Sequence, residues 1–164
     1  MDESTTKLNP VPKEKKGEFL SFIIITLLVV LPIRLFIAQP FIVNGASMVP
    51  TFENGDYLIV DELTYHFREP ERGEVVIFKY PKDPSKFFIK RVIGLPGDTV
   101  DGTLMKEGEY FVEGDNRDAS SDSRVWGPVT RDLIIGRPYF RLLPVSEFEF
   151  LPGLDEKNTY IDVN

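Results

Sequence analysis

Apolar residues are concentrated in one stretch near the start of the chain, which reads FLSFIIITLLVVLPI from Phe19 to Ile33 without a charged side chain. Extended to Ala38, the stretch has 20 residues, and a helix of that length spans about 30 Å, enough to cross the hydrocarbon core of a bilayer. All sides of this helix are apolar, whereas a buried core helix usually has a single apolar stripe. The pattern therefore predicts a transmembrane helix over residues 19–38.

The charges that flank this stretch predict its orientation. Four of the first 16 residues are lysines, and after Arg34 no lysine or arginine occurs until Arg68. Because positively charged flanks stay in the cytoplasm, the N-terminus is expected inside and the rest of the chain outside. A cleaved leader is the alternative. A cut after Ala38 would place Phe36 where a small residue is preferred, so an uncleaved anchor is expected.

Beyond residue 38 the pattern changes to short apolar runs separated by glycine, proline, asparagine and aspartate, which predict β-strands joined by tight turns. The expected strands are residues 41–43, 57–60, 74–80, 87–93, 110–112, 134–136 and 139–142. No amphipathic helix is expected beyond residue 40, apart from a turn at 63–67. The predicted fold is mainly β, a compact antiparallel barrel or sandwich-like domain with one N-terminal transmembrane helix.

These patterns divide the chain into four segments. Residues 1–18 are polar and rich in lysine, glutamate and proline, so a disordered cytoplasmic tail is expected. The anchor at 19–38 is followed by an extracytoplasmic domain over 39–151, which is long enough to bury a single core. A polar C-terminal tail is expected over 152–164.

Composition excludes several classes of function. The formal net charge of −7 argues against a nucleic-acid partner, because nucleic acids bind basic surfaces. The absence of cysteine excludes disulfides, thiolate metal sites and cysteine nucleophiles. His66 is the single histidine. A multi-histidine metal site is therefore excluded, and a Ser-His-Asp triad would have to use His66. No metal or other cofactor is expected.

A serine and a lysine are the candidates for catalysis. Ser47 lies in the glycine-led segment GASMVP just beyond the predicted anchor, and Lys90 lies in the apolar run FFIKRV, on a strand face shared with Phe88 and Val92. A lysine acts as a base only when it is neutral, and an apolar site lowers its pKa from about 10.4. The alternatives are an ordinary turn serine and a solvated lysine on an edge strand, and the residues alone leave both open.

Three segments of the chain resemble the type I signal peptidases, the Ser/Lys endopeptidases that remove signal peptides from secreted proteins. These segments read GASMVPTFENGDYLIVDE, RGEVVIFKYPKDPSKFFIKRVIGLPGDTV and EGDNRDASSDSRVWGPV. They occur in the order typical of the family and, together with the anchor, cover most of residues 19–137. The intact KRVIGLPGD and GDNRD motifs make the resemblance highly specific.

The resemblance implies roles for the matching residues. Ser47 would be the nucleophile and Lys90 the general base, while Ser120 would hydrogen-bond with the Lys90 amine and orient it. The residues that would brace the site as ion pairs are Asp115 with Arg91 and Asp122 with Arg124. The residues that would line two shallow pockets for small substrate side chains are Phe41, Val43, Met48, Phe88 and Ile89. The alternative for the ion pairs is a solvated surface loop. The alternative for the pocket residues is that they simply pack in the core.

Two features depart from the family pattern. Gly45 stands where many relatives have a hydroxyl side chain that assists the oxyanion hole, which leaves the Ser47 backbone N–H as the evident donor. Loss of one such donor costs about 10²–10³-fold in rate in other enzymes. The span from Gly97 to Tyr110 is short, whereas larger relatives insert an additional β region there. The resemblance therefore implies a compact form of the catalytic domain.

The activity implied by the resemblance is that of a membrane-bound serine endopeptidase that cleaves signal peptides from secreted preproteins after small residues. Its partners would be those signal peptides and the lipid bilayer. Its location would be a bacterial plasma membrane, crossed once, with the N-terminus in the cytoplasm. One alternative is a non-catalytic, membrane-tethered module that binds signal peptides. Another is a self-cleaving repressor-type Ser/Lys protease, which the predicted anchor argues against.

Overall fold

The computed structural model describes residues 16–36 and 38–150 of the 164-residue chain. Helix α1 spans Lys16–Phe36, and its side chains from Phe19 to Val30 are exposed. As far as the described residues go, no helix combines the length and apolar character needed to cross a membrane. Apart from the start of α1, the predicted tails at 1–18 and 152–164 lie outside the described residues.

The body of the protein is built from short strands, as the alternation of apolar runs and turn residues predicts. The strands are β1 (Ala38–Ile42), β2 (Tyr57–Asp61), β3 (Val75–Tyr80), β4 (Asp83–Gly94), β5 (Thr99–Val100), β6 (Thr103–Leu104), β7 (Glu109–Glu113), β8 (Val129–Thr130), β9 (Ile134–Leu143) and β10 (Glu149–Phe150). The span from Gly97 to Tyr110 contains the small β5–β6 pair, which is separate from the main sheet.

All strand pairs in the described part of the chain are antiparallel. The main sheet follows the order β1-β2-β9-β3-β4-β7-β8, and β10 pairs with β9. The prediction of a mainly β, antiparallel domain is confirmed. The strands described here do not close into a barrel, because β1 and β8 lie at opposite ends of the order and do not pair with each other.

Strand β9 differs from the sequence prediction. The glycine and proline at 136–138 predicted two separate strands, but β9 continues from Ile134 to Leu143. Proline is tolerated in a sheet where pairing is irregular, since it has no N–H to donate. Pro138 lies opposite Val60, next to a register shift in the β2–β9 pair. The irregular pairing at this point explains why the strand is not broken.

The predicted turn at 63–67 is a 3-10 helix at Thr64–His66. The short α-helix α2 at Ser123–Trp126 was not predicted, nor were the 3-10 helices at Arg117–Ala119, Arg131–Leu133 and Val145–Glu147. With four residues, α2 is too short to produce the 3.6-residue apolar repeat by which helices are recognised in a sequence. Asp122 caps its N-terminus through a hydrogen bond from the Arg124 N–H.

The fold brings three distant segments together. The turn that contains Ser47 follows β1, Lys90 lies within β4, and the loop at 114–122 follows β7. Beneath the Ser47 turn lies an apolar cluster whose buried members are Val43, Met48, Phe52, Leu58 and Val75, with Ile89 packed against it. The turn is therefore seated on the core of the sheet rather than on a free loop.

Candidate active site

The amine of Lys90 contacts the hydroxyl of Ser47. Its Nζ donates a hydrogen bond to Ser47 Oγ at 2.6 Å, across a sequence separation of 43 residues. A second bond runs from Nζ to the carbonyl oxygen of Ile89 at 2.9 Å. The serine and the lysine that the sequence identified as candidates therefore lie within proton-transfer distance of each other.

Lys90 is buried because of its place in the sheet. It pairs with Val76, next to the Val75–Arg91 pair that ends the β3–β4 ladder, and is 4% exposed. The ring of Phe88, two residues earlier on the strand, has its centroid 5.6 Å from Nζ. The alternative of a solvated lysine is therefore wrong, although among the described strands β4 has a free edge at this point.

Burial lowers the pKa of the Lys90 ammonium to about 8, because the charged form loses its water. The carboxylates of Asp122 and Asp115 act in the opposite direction and raise this pKa, since they favour the positive charge. Desolvation is the larger influence. Lys90 therefore exchanges its proton in the neutral to mildly alkaline range, where an ordinary lysine stays charged.

The turn that carries Ser47 is held by backbone contacts on several sides. Gly45 has φ +95°, a conformation that favours glycine, and its N–H donates to Asn54 Oδ1 at 2.9 Å. The carbonyl oxygen of Ser47 accepts a hydrogen bond from the Asn116 N–H at 3.0 Å. Within the described residues the Ser47 N–H has no acceptor, so it is available to a bound molecule.

Arg91 and Asp115 form a two-pronged ion pair beside the site. Nε of Arg91 donates to Asp115 Oδ1 at 2.8 Å, and Nη2 donates to Oδ2 at 2.7 Å. The hydroxyl of Thr51 donates to the same carboxylate and accepts from Arg91 at 3.2 Å. Thr51 was not identified from the sequence, since a threonine after Val-Pro in a turn carries no distinguishing pattern. The pair connects the residue next to Lys90 with the turn that contains Ser47.

Asp122 and Arg124 form the second predicted pair. Nε and Nη2 of Arg124 donate to the two carboxylate oxygens of Asp122 at 2.8 and 2.9 Å. Burial alone would raise the pKa of Asp122. Hydrogen bonding from Arg124 and from the Gly114 N–H, together with the nearby Ser120 hydroxyl, outweighs it and holds this pKa at about 2. Asp122 is therefore ionised at physiological pH and supplies a fixed negative charge near Lys90.

Ser120 lies beside these groups, but it does not bond to Lys90 in this structure. Its Oγ is buried and meets no strict hydrogen-bond geometry among the described residues, but it lies close enough to the Asp122 carboxylate to help lower the pKa of that group. The hydroxyl and the Ser47 carbonyl oxygen both pack against Gly114, so closely that a Cβ at this position would collide with them. The orienting role of Ser120 therefore stays a prediction.

An open groove of about 570 Å³ runs past Ser47 and Lys90. Four of the five predicted pocket residues line it: Phe41, Val43, Phe88 and Ile89. Met48 does not, because it is fully buried in the cluster beneath the turn. The residues next to Met48 in the sequence do not distinguish a core position from a groove position.

His66, the residue that a Ser-His-Asp triad would require, is exposed in the 3-10 helix that follows β2. One of its ring nitrogens contacts the carbonyl oxygen of Glu62 at 2.9 Å, and it is not among the residues that line the groove. Over residues 16–36 and 38–150, no group of three or more histidine, aspartate or glutamate side chains is arranged to hold a metal ion.

Comparison with known families gives a match over most of the chain. A family model described as signal peptidase, peptidase S26, matches residues 16–105 and 101–143. These two ranges include the Ser47 turn, strand β4 and the loop at 114–122.

Individual relatives agree with the family match. A protein named probable signal peptidase I-1, from Synechocystis, is 34% identical over an alignment of 190 positions, gaps included. The alignment covers 92% of this chain and 97% of the relative. Human mitochondrial inner membrane protease subunit 1 is 38% identical over 129 residues, with 73% of this chain and 78% of the relative covered. Signal peptidase I of Leptolyngbya laminosa is 36% identical over 157 residues, with 74% of this chain and 77% of the relative covered.

Proposed function

This chain belongs to the signal peptidase family, peptidase S26, and from that premise we propose that it cleaves signal peptides with Ser47 as the nucleophile and Lys90 as the general base. The chain is a membrane serine peptidase of signal peptides, as its relatives named signal peptidase I indicate. The observation that carries the assignment of the two residues is the 2.6 Å contact between Lys90 Nζ and Ser47 Oγ.

The first step uses Lys90 in its neutral form. With a pKa of about 8, roughly a tenth of the Lys90 amines are neutral at pH 7. The neutral amine accepts the Ser47 proton while Oγ attacks the carbonyl carbon of the scissile bond. The new C–O bond forms as the carbonyl electron pair moves to the oxygen, and Lys90 becomes an ammonium.

The Ser47 N–H stabilises the negative oxygen that this attack creates. Its availability supports the role, because within the described residues no group accepts a hydrogen bond from it. Gly45 has no side chain with which to add a second donor. A single backbone donor is therefore the part of the oxyanion hole that this chain supplies from the Ser47 turn.

Breakdown of the intermediate returns the proton to the substrate. The Lys90 ammonium protonates the leaving nitrogen, the C–N bond breaks, and the mature protein leaves with a free amino group. The signal peptide stays bound to Ser47 as an ester. Lys90, neutral again, takes a proton from water, whose oxygen attacks the ester. The signal peptide leaves as a carboxylic acid and Ser47 recovers its hydroxyl from the Lys90 ammonium.

The groove supports binding of an extended peptide. Strand β4 pairs with β7 only from Arg91 onward, and in the described part of the chain residues 83–90 have no strand on that side. A peptide added along this edge obtains backbone hydrogen bonds and places alternate side chains in the groove. Its apolar walls accept small side chains and exclude large ones by overlap. These walls include Phe41, Val43, Phe88 and Ile89.

In this proposal, residues 19–38 anchor the enzyme in the bilayer, with the N-terminus in the cytoplasm and the catalytic domain on the opposite side. The segment extends beyond the described residues. Support comes from the exposed apolar side chains of α1 between Phe19 and Val30, and from the lysines that precede them. A bacterial plasma membrane is favoured over a mitochondrial membrane, because the Synechocystis relative aligns with more of this chain than the human one.

The experiment that tests this function compares Ser47→Ala and Lys90→Met with the wild type on a preprotein in detergent micelles. N-terminal sequencing of the product identifies the cleaved bond. Both variants are expected to lose at least about 1000-fold in kcat/KM. Lys79→Met, which changes an exposed lysine of β3, is the matched control and should cleave normally. Substantial cleavage by the Ser47 or Lys90 variant would refute the role of the residue concerned.

The alternative of a non-catalytic module that binds signal peptides is not supported, because the family to which the chain belongs consists of peptidases. A serine-directed acylating inhibitor distinguishes the two independently. The enzyme should be labelled at Ser47 at a rate that increases with pH, whereas a binding module would remain unlabelled there.

A further inference from the structure

We infer that Arg141 is a positioning residue for catalysis, and that it acts by fixing the end of the turn that carries Ser47. It contacts neither Ser47 nor Lys90. This inference rests on the proposed function, because it takes Ser47 as the nucleophile. It concerns a side chain on β9, a strand that carries none of the residues predicted for the site.

Arg141 reaches the turn directly. Its Nη2 donates a hydrogen bond to the carbonyl oxygen of Thr51 at 2.6 Å, across a sequence separation of 90 residues. The side chain is 9% exposed, so water competes little for this bond. Thr51 lies four positions after Ser47, and its hydroxyl is the group that joins the Arg91–Asp115 pair.

Several acidic and aromatic groups hold the Arg141 guanidinium in place. It lies over the ring of Phe52, 5.1 Å from the ring centroid. Asp56 is 3.6 Å away, and Glu147 and Glu149 approach at 3.0 and 3.2 Å. A planar guanidinium fixed by partners on different elements keeps its donors in one direction. Arg141 is therefore a rigid support for the Thr51 carbonyl rather than a mobile surface side chain.

The other supports of the turn act at different points. The Asn116 N–H holds the carbonyl oxygen of Ser47, and the Phe52 N–H holds that of Met48. Arg141 adds a connection from Thr51 to β9. Without it, the far end of the turn loses a buried partner and Ser47 can shift relative to Lys90. Because the proton transfer depends on the 2.6 Å contact, a small shift is expected to slow the chemical step more than substrate binding.

The test uses Arg141→Met, which keeps an unbranched apolar chain against Phe52 but removes the donors. We expect kcat on a signal-peptide substrate to fall about 10- to 100-fold, with KM changed less than about twofold. The rate of Ser47 acylation by a small serine-directed reagent should fall by the same factor. That reagent does not need the groove, so its rate measures the position of the nucleophile.

Arg137→Met is the matched control. Arg137 lies on the same strand and is also paired with carboxylates, of which it has two, Asp61 and Glu74, rather than three. It should lose stability without a comparable fall in kcat per folded molecule. Thermal unfolding in the same micelles measures the stability of each variant, so the activity can be expressed per folded protein.

The inference would be overturned if folded Arg141→Met kept the wild-type kcat, or if only its KM changed. It would also be overturned if kcat per folded molecule fell equally in Arg137→Met. If Arg141→Met does not fold, Arg141→Lys provides the test. This variant keeps the positive charge among the carboxylates but loses the planar guanidinium group. A lower kcat with an unchanged KM is expected, and wild-type kcat would contradict the inference. Cleavage by Ser47→Ala would instead refute the proposed function, which is a separate outcome.

Discussion

Gly114 packs so tightly against the carbonyl oxygen of Ser47 that no Cβ atom fits between them. The hydroxyl of Ser120 lies equally close to the same position. Two residues further on, the Asn116 N–H binds that same Ser47 oxygen. The loop after β7 and the turn that carries the proposed nucleophile therefore meet at a glycine, and their separation depends on the absence of a side chain there.

Replacing Gly114 with alanine should move the two segments apart. Overpacking of this kind costs about 1–3 kcal/mol in stability, and the displacement of Ser47 should lower kcat at least about tenfold. Kinetics on a signal-peptide substrate measure the effect. Gly136→Ala is the control, because its Cβ would collide equally closely with the carbonyl oxygen of Asp61. If both variants reduce kcat per folded molecule to the same extent, crowding at Gly114 has no special effect on catalysis.

The pH dependence of cleavage should follow the titration of Lys90. With a pKa of about 8, the fraction of neutral amine increases up to that pH and levels off above it. At pH 6, two units lower, roughly 1% is neutral, so kcat/KM should be about 100-fold below its maximum. A profile measured from pH 5.5 to 9.5 tests this. Activity that is constant across this range would mean that Lys90 is not the base.

Asp122→Asn should move the same profile toward lower pH. The Asp122 carboxylate is ionised throughout the assay range and raises the pKa of Lys90, so removing its charge lowers that pKa. The acidic limb of the kcat/KM profile reports the change. The maximal rate should also fall, because the bonds to Arg124 are weakened. Asp132→Asn serves as a control remote from both residues, and a shift toward higher pH in Asp122→Asn would contradict the assignment.

The buried charge of Lys90 should also appear in the stability of the protein. Its pKa is lower in the folded state, about 8 against 10.5 when exposed. The destabilisation by the buried charge is therefore fully present below pH 8 and is lost as the pH rises to 10.5. Relative to Lys90→Met, the wild type should gain up to about 3 kcal/mol in its free energy of unfolding over this interval.

Unfolding of both proteins across pH 7–11 measures this difference, and the comparison cancels the titration of groups that they share. A constant difference between the two proteins would show that the pKa of Lys90 is the same in the folded and unfolded states.

The sequence predicted the secondary-structure elements of this protein better than the contacts between them. The apolar neighbours of Lys90 in FFIKRV made a buried lysine one of two open interpretations, and its 4% exposure decides in favour of burial. That its amine meets Ser47, 43 positions away, follows from sheet pairing and could be anticipated only from the resemblance to a family. Local patterns carry no information about which strands become neighbours.

The supports of the Ser47 turn were beyond sequence reasoning for a related reason. Arg141 and Asn116 act on carbonyl oxygens of the backbone, at Thr51 and Ser47. Every residue has a carbonyl group, so such a contact selects no particular side chain at the receiving position. Sequence patterns therefore reveal the charged partners of a site more readily than the groups that hold its backbone.

Strand β4 has 12 residues, and the one strand carries both the edge available to a peptide and the amine of Lys90. Under the proposed function, its position determines which bond of a preprotein is cut. Moving a bound chain along that edge by two residues would displace every peptide bond by about 7 Å. Ser47 would then face the wrong bond, or none. The register of the bound peptide on β4 therefore sets how accurately the junction between signal peptide and mature protein is cleaved. The proportion of products that begin at the correct residue measures this accuracy.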